Sequence, residues 1–259
     1  MKTISKLESN RGFTIIEFLV SMAITGVVMT AVYLAYNSQQ KSYVIQEQVV
    51  AMQQNIRAAI YYMAREVRMA GYDPNGNAGT GIVTAASNSI RFTLDINDGI
   101  DNDGDGYVDE WDEAGNGDGD SNDPNEDITY SLYDSVGDGD NDLGRDTGGG
   151  NQPLAENIDV IDFVYLDQRV ADGIDNDADG VIDEEDEAVM ATPVATPADI
   201  RIILITVIAR AGRADRSFED VDAYFNLTDQ VNPVLPAQND NFRRRSLTTR
   251  IRCRNMGLT

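Results

Sequence analysis

The 259 residues contain no histidine and a single cysteine, Cys253. The first absence excludes Ser/His/Asp and Cys/His catalytic arrangements, histidine general bases and histidine-ligated zinc or iron. The second excludes any disulfide within the chain, so its loops must be held by something other than sulfur, and a metal gripped by oxygen ligands becomes a candidate. Bases are scarce as well: 20 Lys+Arg face 44 Asp+Glu, for a formal net charge of -24. That shortage is local. Nineteen acids fall between Asp95 and Asp146 and nine between Asp172 and Glu187, which leaves 16 acids against 19 bases elsewhere. Outside two segments this is an ordinary, slightly basic protein, long enough for one sizeable domain plus an extension or for two small domains.

Proline is missing from the whole stretch before Pro74, and a long helix is expected there. The apolar run from Phe13 to Tyr36 carries one charge, Glu17, and its 24 residues would span about 36 Å as a helix, enough to cross a hydrocarbon core. No small-residue cleavage site comes after the run, so the segment is expected to stay on the protein. Lys2, Lys6 and Arg11 precede it, which places the leader in the cytoplasm and exports the chain beyond Tyr36. Ile45, Val49, Met52, Ile56, Ala59, Met63 and Val67 then recur at steps of three and four, the pattern of an amphipathic helix. One helix from about Phe13 to about Met69 is predicted, stopped at Gly71. Glu17 is costly inside an apolar span unless it finds a partner, and such residues mark function.

"RGFTIIEFLVSMAITG" resembles the class III leader and N-terminal helix of type IV pilins. The resemblance implies that a prepilin peptidase removes residues 1–12 by cutting between Gly12 and Phe13, and methylates the new amino terminus of Phe13. It also implies that Glu17 neutralises the amino terminus of a neighbouring subunit during assembly. The next stretch, "SYVIQEQVVAMQQNIRAAIYYMAREVRMAGYDPNG", resembles the W-type minor pilins, and the J-type pseudopilins of type II secretion are relatives with a similar start. Many pilins kink this helix at a proline that is absent here, which leaves Gly26 as the weak point.

Beyond Asn77 the apolar period drops to two. "SIRFTLDI", "DITYSLYD" and "RSLTTRIRCRN" alternate as half-buried strands. "NIDVIDFVYLDQ" (157–168) and "IRIILITVIAR" (200–210) give two more, the latter apolar on both faces and so expected at the centre of the sheet. The fold class is α+β: a long N-terminal helix, membrane half 13–36 and amphipathic half 37–71, packed on an antiparallel β-sheet within an exported head, residues 72–259. By resemblance this is the pilin architecture. Cys253 falls on the apolar face of the last strand, as a small buried hydrophobe. Arg243, Arg244, Arg245, Arg250, Arg252 and Arg254 form a basic run, but no aromatics interleave with them and the domain is acidic, which argues against nucleic acid.

Residues 98–113, "DGIDNDGDGYVDEWDE", and 172–187, "DGIDNDADGVIDEEDE", hold eight and nine carboxylates and are identical at twelve of sixteen positions. Each fits D-x-D-x-D-G-x-x-D-x-x-D. In the first, Asp101, Asp103, Asp105, the Tyr107 carbonyl, Asp109 and Asp112 are the proposed ligands. In the second they are Asp175, Asp177, Asp179, the Val181 carbonyl, Asp183 and Asp186. Calcium takes six to eight hard oxygens from a chain winding once around it, with a glycine for the sharp turn, here Gly106 and Gly180. The loops resemble those of EF-hands, dockerins and thrombospondin type 3 repeats. An Asp closes each loop where an EF-hand has Glu, and no helix pair flanks either, which favours two structural calcium ions over a sensor.

The resulting expectation is a non-enzymatic subunit, a W-type minor pilin with a calcium-stabilised head. Its implied partners are other major and minor pilins, the prepilin peptidase and the inner-membrane assembly platform. It would pass from a single-pass inner-membrane form to the extracellular filament. A J-type pseudopilin of type II secretion and a calcium-dependent adhesin at the pilus tip remain open at this stage. Under the resemblance, Glu17 also argues against the outermost cap of a filament.

Overall fold

The computed structural model describes residues 13–74, 76, 78–96, 121, 125–137, 139–167 and 189–256. Both acidic repeats, and with them every proposed calcium ligand, lie outside the described residues, as does Gly12. The chain divides into two units, residues 1–47 and 48–259.

The first unit consists of the start of helix α1 (Ile15–Val67). None of its described side chains is buried. The helix is assigned without interruption over its 53 residues, as the lack of proline leads one to expect.

The second unit contains the core. Met52, Ile56, Ala59, Ile60, Met63 and Val67 of α1 are buried at helical spacing. They pack with residues from eight strands: β1 (Ile82–Ala85), β2 (Ser89–Thr93), β3 (Asp127–Tyr133), β4 (Asp142–Asp146), β5 (Gln152–Ala155), β6 (Ile158–Leu166), β7 (Ile202–Arg210) and β8 (Arg244–Arg252). The strands form two antiparallel sheets rather than the single one expected, ordered β1-β2-β3-β4-β5 and β6-β7-β8. The cause is a corner between β5 and β6. Asn157 takes a left-handed conformation (φ 57°) that turns the chain, its N–H donates to Asp142 at 3.0 Å, and β6 pairs with β7 instead of β5. The two sheets stay in touch through the Phe163 N–H, which donates to the Ser87 carbonyl at 2.7 Å, and the Ile158 N–H, which donates to that of Asn141 at 2.8 Å.

Strand β7 is central and buried from Ile203 to Ala209, as its unbroken apolar run suggests. Gly71 ends the helical segment with φ 75°. Its N–H donates to Thr93 at 3.0 Å, and a side chain there would meet the Met256 sulfur at 3.0 Å, so both backbone and space require glycine. The helix is bolted to the five-stranded sheet by Glu66, which accepts from Tyr130 and, at 2.9 Å, from Arg145 Nε.

Cys253 comes directly after β8 and is 3% exposed. Burial pushes its thiol up to about 12, so almost no thiolate exists near neutral pH. Alkylation by iodoacetamide at pH 8 is expected only after denaturation; labelling of the native protein within minutes would contradict this burial.

Candidate functional site

Two kinds of residue bear on function in this structure: the start of α1, and the groups that hold the loops of the 48–259 unit. The first is a reciprocal cap. Thr14 precedes the helix; its N–H donates to Glu17 Oε2 at 2.8 Å, its hydroxyl donates to the same oxygen at 2.9 Å, and the Glu17 N–H donates back to Thr14 Oγ1 at 3.3 Å. This Thr-x-x-Glu arrangement satisfies two of the N–H groups that a helix start leaves without intrahelical partners. Glu17 thus has a local partner inside its own chain. The sequence carries the signal for it, Thr14 three residues before Glu17, and the charge argument alone passes over it.

Phe13 is 93% exposed, and the apolar side chains after it, from Ile15 to Tyr36, are exposed on every side of the helix. None of this apolar stretch of α1 is buried within the chain. The helix is long and apolar enough to cross a membrane. A surface of this kind is stable only in lipid or against other apolar helices.

The second kind answers how a chain with one cysteine fastens its loops. Aspartates do it, by accepting backbone N–H groups. Asp73 takes those of Gly76 (2.6 Å), Ala78 (3.0 Å) and Gly79 (3.2 Å). Asp134 takes Gly137 (2.6 Å) and Gly139 (3.0 Å), and Asp146 takes Gly148 (2.9 Å) and Gly150 (3.0 Å). Part of the acidic stretch "DSVGDGDNDLGRD" is therefore turn chemistry leading into β4.

The long connection 211–243 is held by arginine. Arg244, with 3% of its side chain exposed, donates from Nε to Asp159 (2.5 Å), from Nη1 to Asp220 (3.0 Å) and Asp240 (2.7 Å), and from Nη2 to Asp240 (2.7 Å). Arg210 pairs with Asp140 and approaches Asp159 at 3.6 Å. Arg243 pairs with Asp215 at 2.8 Å and lies over the Phe218 ring. Asp215, which also accepts from the Ser217 hydroxyl and N–H, is held down to about 2. Asp159 goes the other way: burial outweighs Arg244 and raises it above the ordinary carboxylate range. The basic run read from the sequence is thus divided, with Arg243 and Arg244 turned to structural pairing and Arg245, Arg252 and Arg254 exposed. Among the described residues no group of three or more acids, cysteines or histidines could hold a metal ion.

Residues 9–33 match the prokaryotic N-terminal methylation motif. No curated protein matches the chain. Among solved structures, a type IV-like pilin from Thermus thermophilus aligns over 79% of this chain and 98% of its own, at 12% identity and a TM-score of 0.42.

Proposed function

We propose that this chain is a minor pilin of the W type, a structural subunit held in the inner membrane by α1 and then drawn into a type IV pilus. The observation that carries the reading is the start of α1: a methylation motif over residues 9–33, leading into a capped helix whose apolar side chains are exposed all round. Such a helix can exchange lipid for the helices of neighbouring subunits at little cost, because both surroundings are apolar.

The capping geometry fits the processing that the motif implies. A cut between Gly12 and Phe13 leaves the Phe13–Thr14 amide intact, so Thr14 still donates to Glu17. The new amine is a cation at a helix N-terminus, where the macrodipole opposes it, and a carboxylate is the group that compensates. Glu17 can serve its own helix and, at the end of a neighbour, a second amine.

The calcium proposal rests on the donor chemistry of the two repeats. Every proposed ligand is a carboxylate or carbonyl oxygen, the set that suits a hard cation, and the chain has no histidine to redirect it to zinc. Asp101, Asp103, Asp105, Asp109 and Asp112 would hold one ion, and Asp175, Asp177, Asp179, Asp183 and Asp186 the other, each with a carbonyl from Tyr107 or Val181. Bound calcium would supply neutralisation and a fixed loop path, which is structural stabilisation.

Mass spectrometry of sheared surface filaments is expected to recover a peptide starting at methylated Phe13. Recovery only from membranes, or with residues 1–12 attached, counts against the reading. Glu17→Gln separates capping from charge, since its amide oxygen still accepts from Thr14. Incorporation into filaments is expected to fall about tenfold or more, equivalent to ~1.4 kcal/mol, with the protein still inserted in the membrane; unchanged incorporation would remove the assembly role from Glu17.

A further inference from the structure

Within the 48–259 unit, the last turns of α1 and the sheet beside them enclose a groove of about 550 Å³. Leu94 and Ile128 are buried and Ile96 is half-buried, so these three form its floor, while Tyr62, Arg65 and Met69 are exposed at its mouth. Tyr62, Arg65 and Met69 reach it together because positions three and four apart share one side of a helix. Tyr72, just past Gly71, completes the wall. The groove is pre-formed: the Asp95 N–H donates to the Tyr72 carbonyl at 2.8 Å and the Leu94 N–H to that of Glu126 at 3.0 Å. Most of its polar groups are spent on one another. Glu66, the only acid in the lining, accepts from Tyr130 and Arg145 Nε, and both Arg145 Nη atoms donate to Asn125 Oδ1 at 3.2 Å. What remains is one-sided. Among the described residues Arg65 enters no ion pair, and the Tyr62 and Tyr72 hydroxyls make no hydrogen bond.

We infer that this groove binds a small amphipathic carboxylate, its apolar body lying on Leu94, Ile96 and Ile128 and its carboxylate paired with Arg65. The volume lies within the range of small-molecule sites, roughly 300–1,000 Å³, and an apolar lining with a few convergent polar groups is their usual composition. Arginine donates only and a phenol can donate, so the groove offers apolar surface, donors and one uncompensated positive charge. That combination excludes other classes. A cationic ligand meets no uncommitted acid, since Arg145 already neutralises Glu66. A sugar would leave hydroxyls without partners on the apolar floor, and an inorganic anion would leave the floor unused. The negative charge of the rest of the chain is screened beyond about 8 Å at physiological salt, whereas the Arg65 pair is a direct contact. None of the lining residues belongs to the start of α1 or to the two acidic repeats, so this inference and the pilin reading can fail separately.

The test uses a fragment starting at Gln48, which is one of the two compact units of the chain and keeps the whole core, between Val49 and Met256. It needs no detergent, which would compete for the groove. The nitrogen-15 fragment is titrated with sodium octanoate, well below its micelle concentration, at neutral pH and physiological salt. Backbone shifts are expected to saturate at one octanoate per chain and to cluster on Tyr62, Arg65, Met69, Tyr72 and Ile96. Octanol, of the same length but uncharged, should bind about tenfold more weakly, the size of one charge-assisted contact. Arg65→Ala should weaken octanoate by the same factor and leave octanol unchanged, and Arg65→Lys should keep most of the octanoate affinity. Arg65 is exposed, so the melting temperature of these variants should stay where it is. Absence of saturable shifts, as when another segment or a second copy already fills the groove, would overturn the inference. So would shifts centred elsewhere, or equal octanoate affinity with and without Arg65.

Discussion

Arg244→Ala is expected to destabilise the 48–259 unit by about 3–5 kcal/mol, the range for removing one partner of a buried ionic cluster. The side chain is 3% exposed and is the common partner of Asp159, Asp220 and Asp240, with Asp220 itself only 1% exposed. Its loss leaves carboxylates packed together without their cation, and it releases the 211–243 connection where that connection is tied to β6 and β8. For a unit of this size the melting temperature should drop by roughly 10 °C. Arg244→Lys should fall between, because one ammonium cannot reproduce a fork that reaches three acids. The deficit also has a pH signature. Asp159 is held above its ordinary range by burial even with Arg244 in place, and removing the cation raises it further. A carboxylate raised in the folded state destabilises once it ionises, so the deficit is largest above the raised value and shrinks as pH falls toward 4. Thermal melts of both proteins from pH 7.5 to 4.5 should converge; a constant gap would mean that packing, not charge, is what Arg244 supplies.

This cluster also marks the limit of what could be read from residues alone. Periodicity places α1 to within two residues at each end and finds β2, β3, β6, β7 and β8, because their segments alternate or run apolar in the sequence itself. It misses β1, β4 and β5, whose segments "IVTA", "DLGRD" and "QPLA" show no apolar alternation, unlike the equally short β2. Strand β4 is the instructive case: "DLGRD" sits in an acidic stretch, yet Asp142 is buried and accepts from Ser135 and Asn157. Gly144 is required because a side chain there would lie 2.7 Å from the Tyr133 ring. Those are tertiary contacts that no local count reveals. The arginines teach the same lesson, since six of them in a short run look alike in sequence, and only pairing with Asp159, Asp220 and Asp215 from distant positions separates Arg243 and Arg244 from Arg245, Arg252 and Arg254. The apolar run and Glu17 mark the start of α1 because they lie within one local stretch, whereas the Thr14 cap in the same stretch goes unread when Glu17 is treated only as a charge.

Calcium is expected to raise the stability of the same 48–259 fragment by about 3 kcal/mol at ten times its dissociation constant. Each site contributes RT ln(1 + [L]/Kd), about 1.4 kcal/mol under that condition, and the two repeats are independent in sequence. The aspartate turns and the Arg244 cluster already fasten the described loops without metal, so the fragment should stay folded in chelator, and calcium should shift its melting temperature by roughly 6–12 °C rather than switch folding on. General screening of a -24 chain would raise stability in any divalent salt, so magnesium at equal concentration is the control. Magnesium prefers to keep its waters and has less use for so many carboxylates, so its effect should be well under half that of calcium. Asp101→Asn should remove about half of the calcium-specific shift, Asp175→Asn the other half, and the double variant all of it. Equal melting in calcium and chelator would sink the proposal, and equal shifts in calcium and magnesium would reduce it to charge screening.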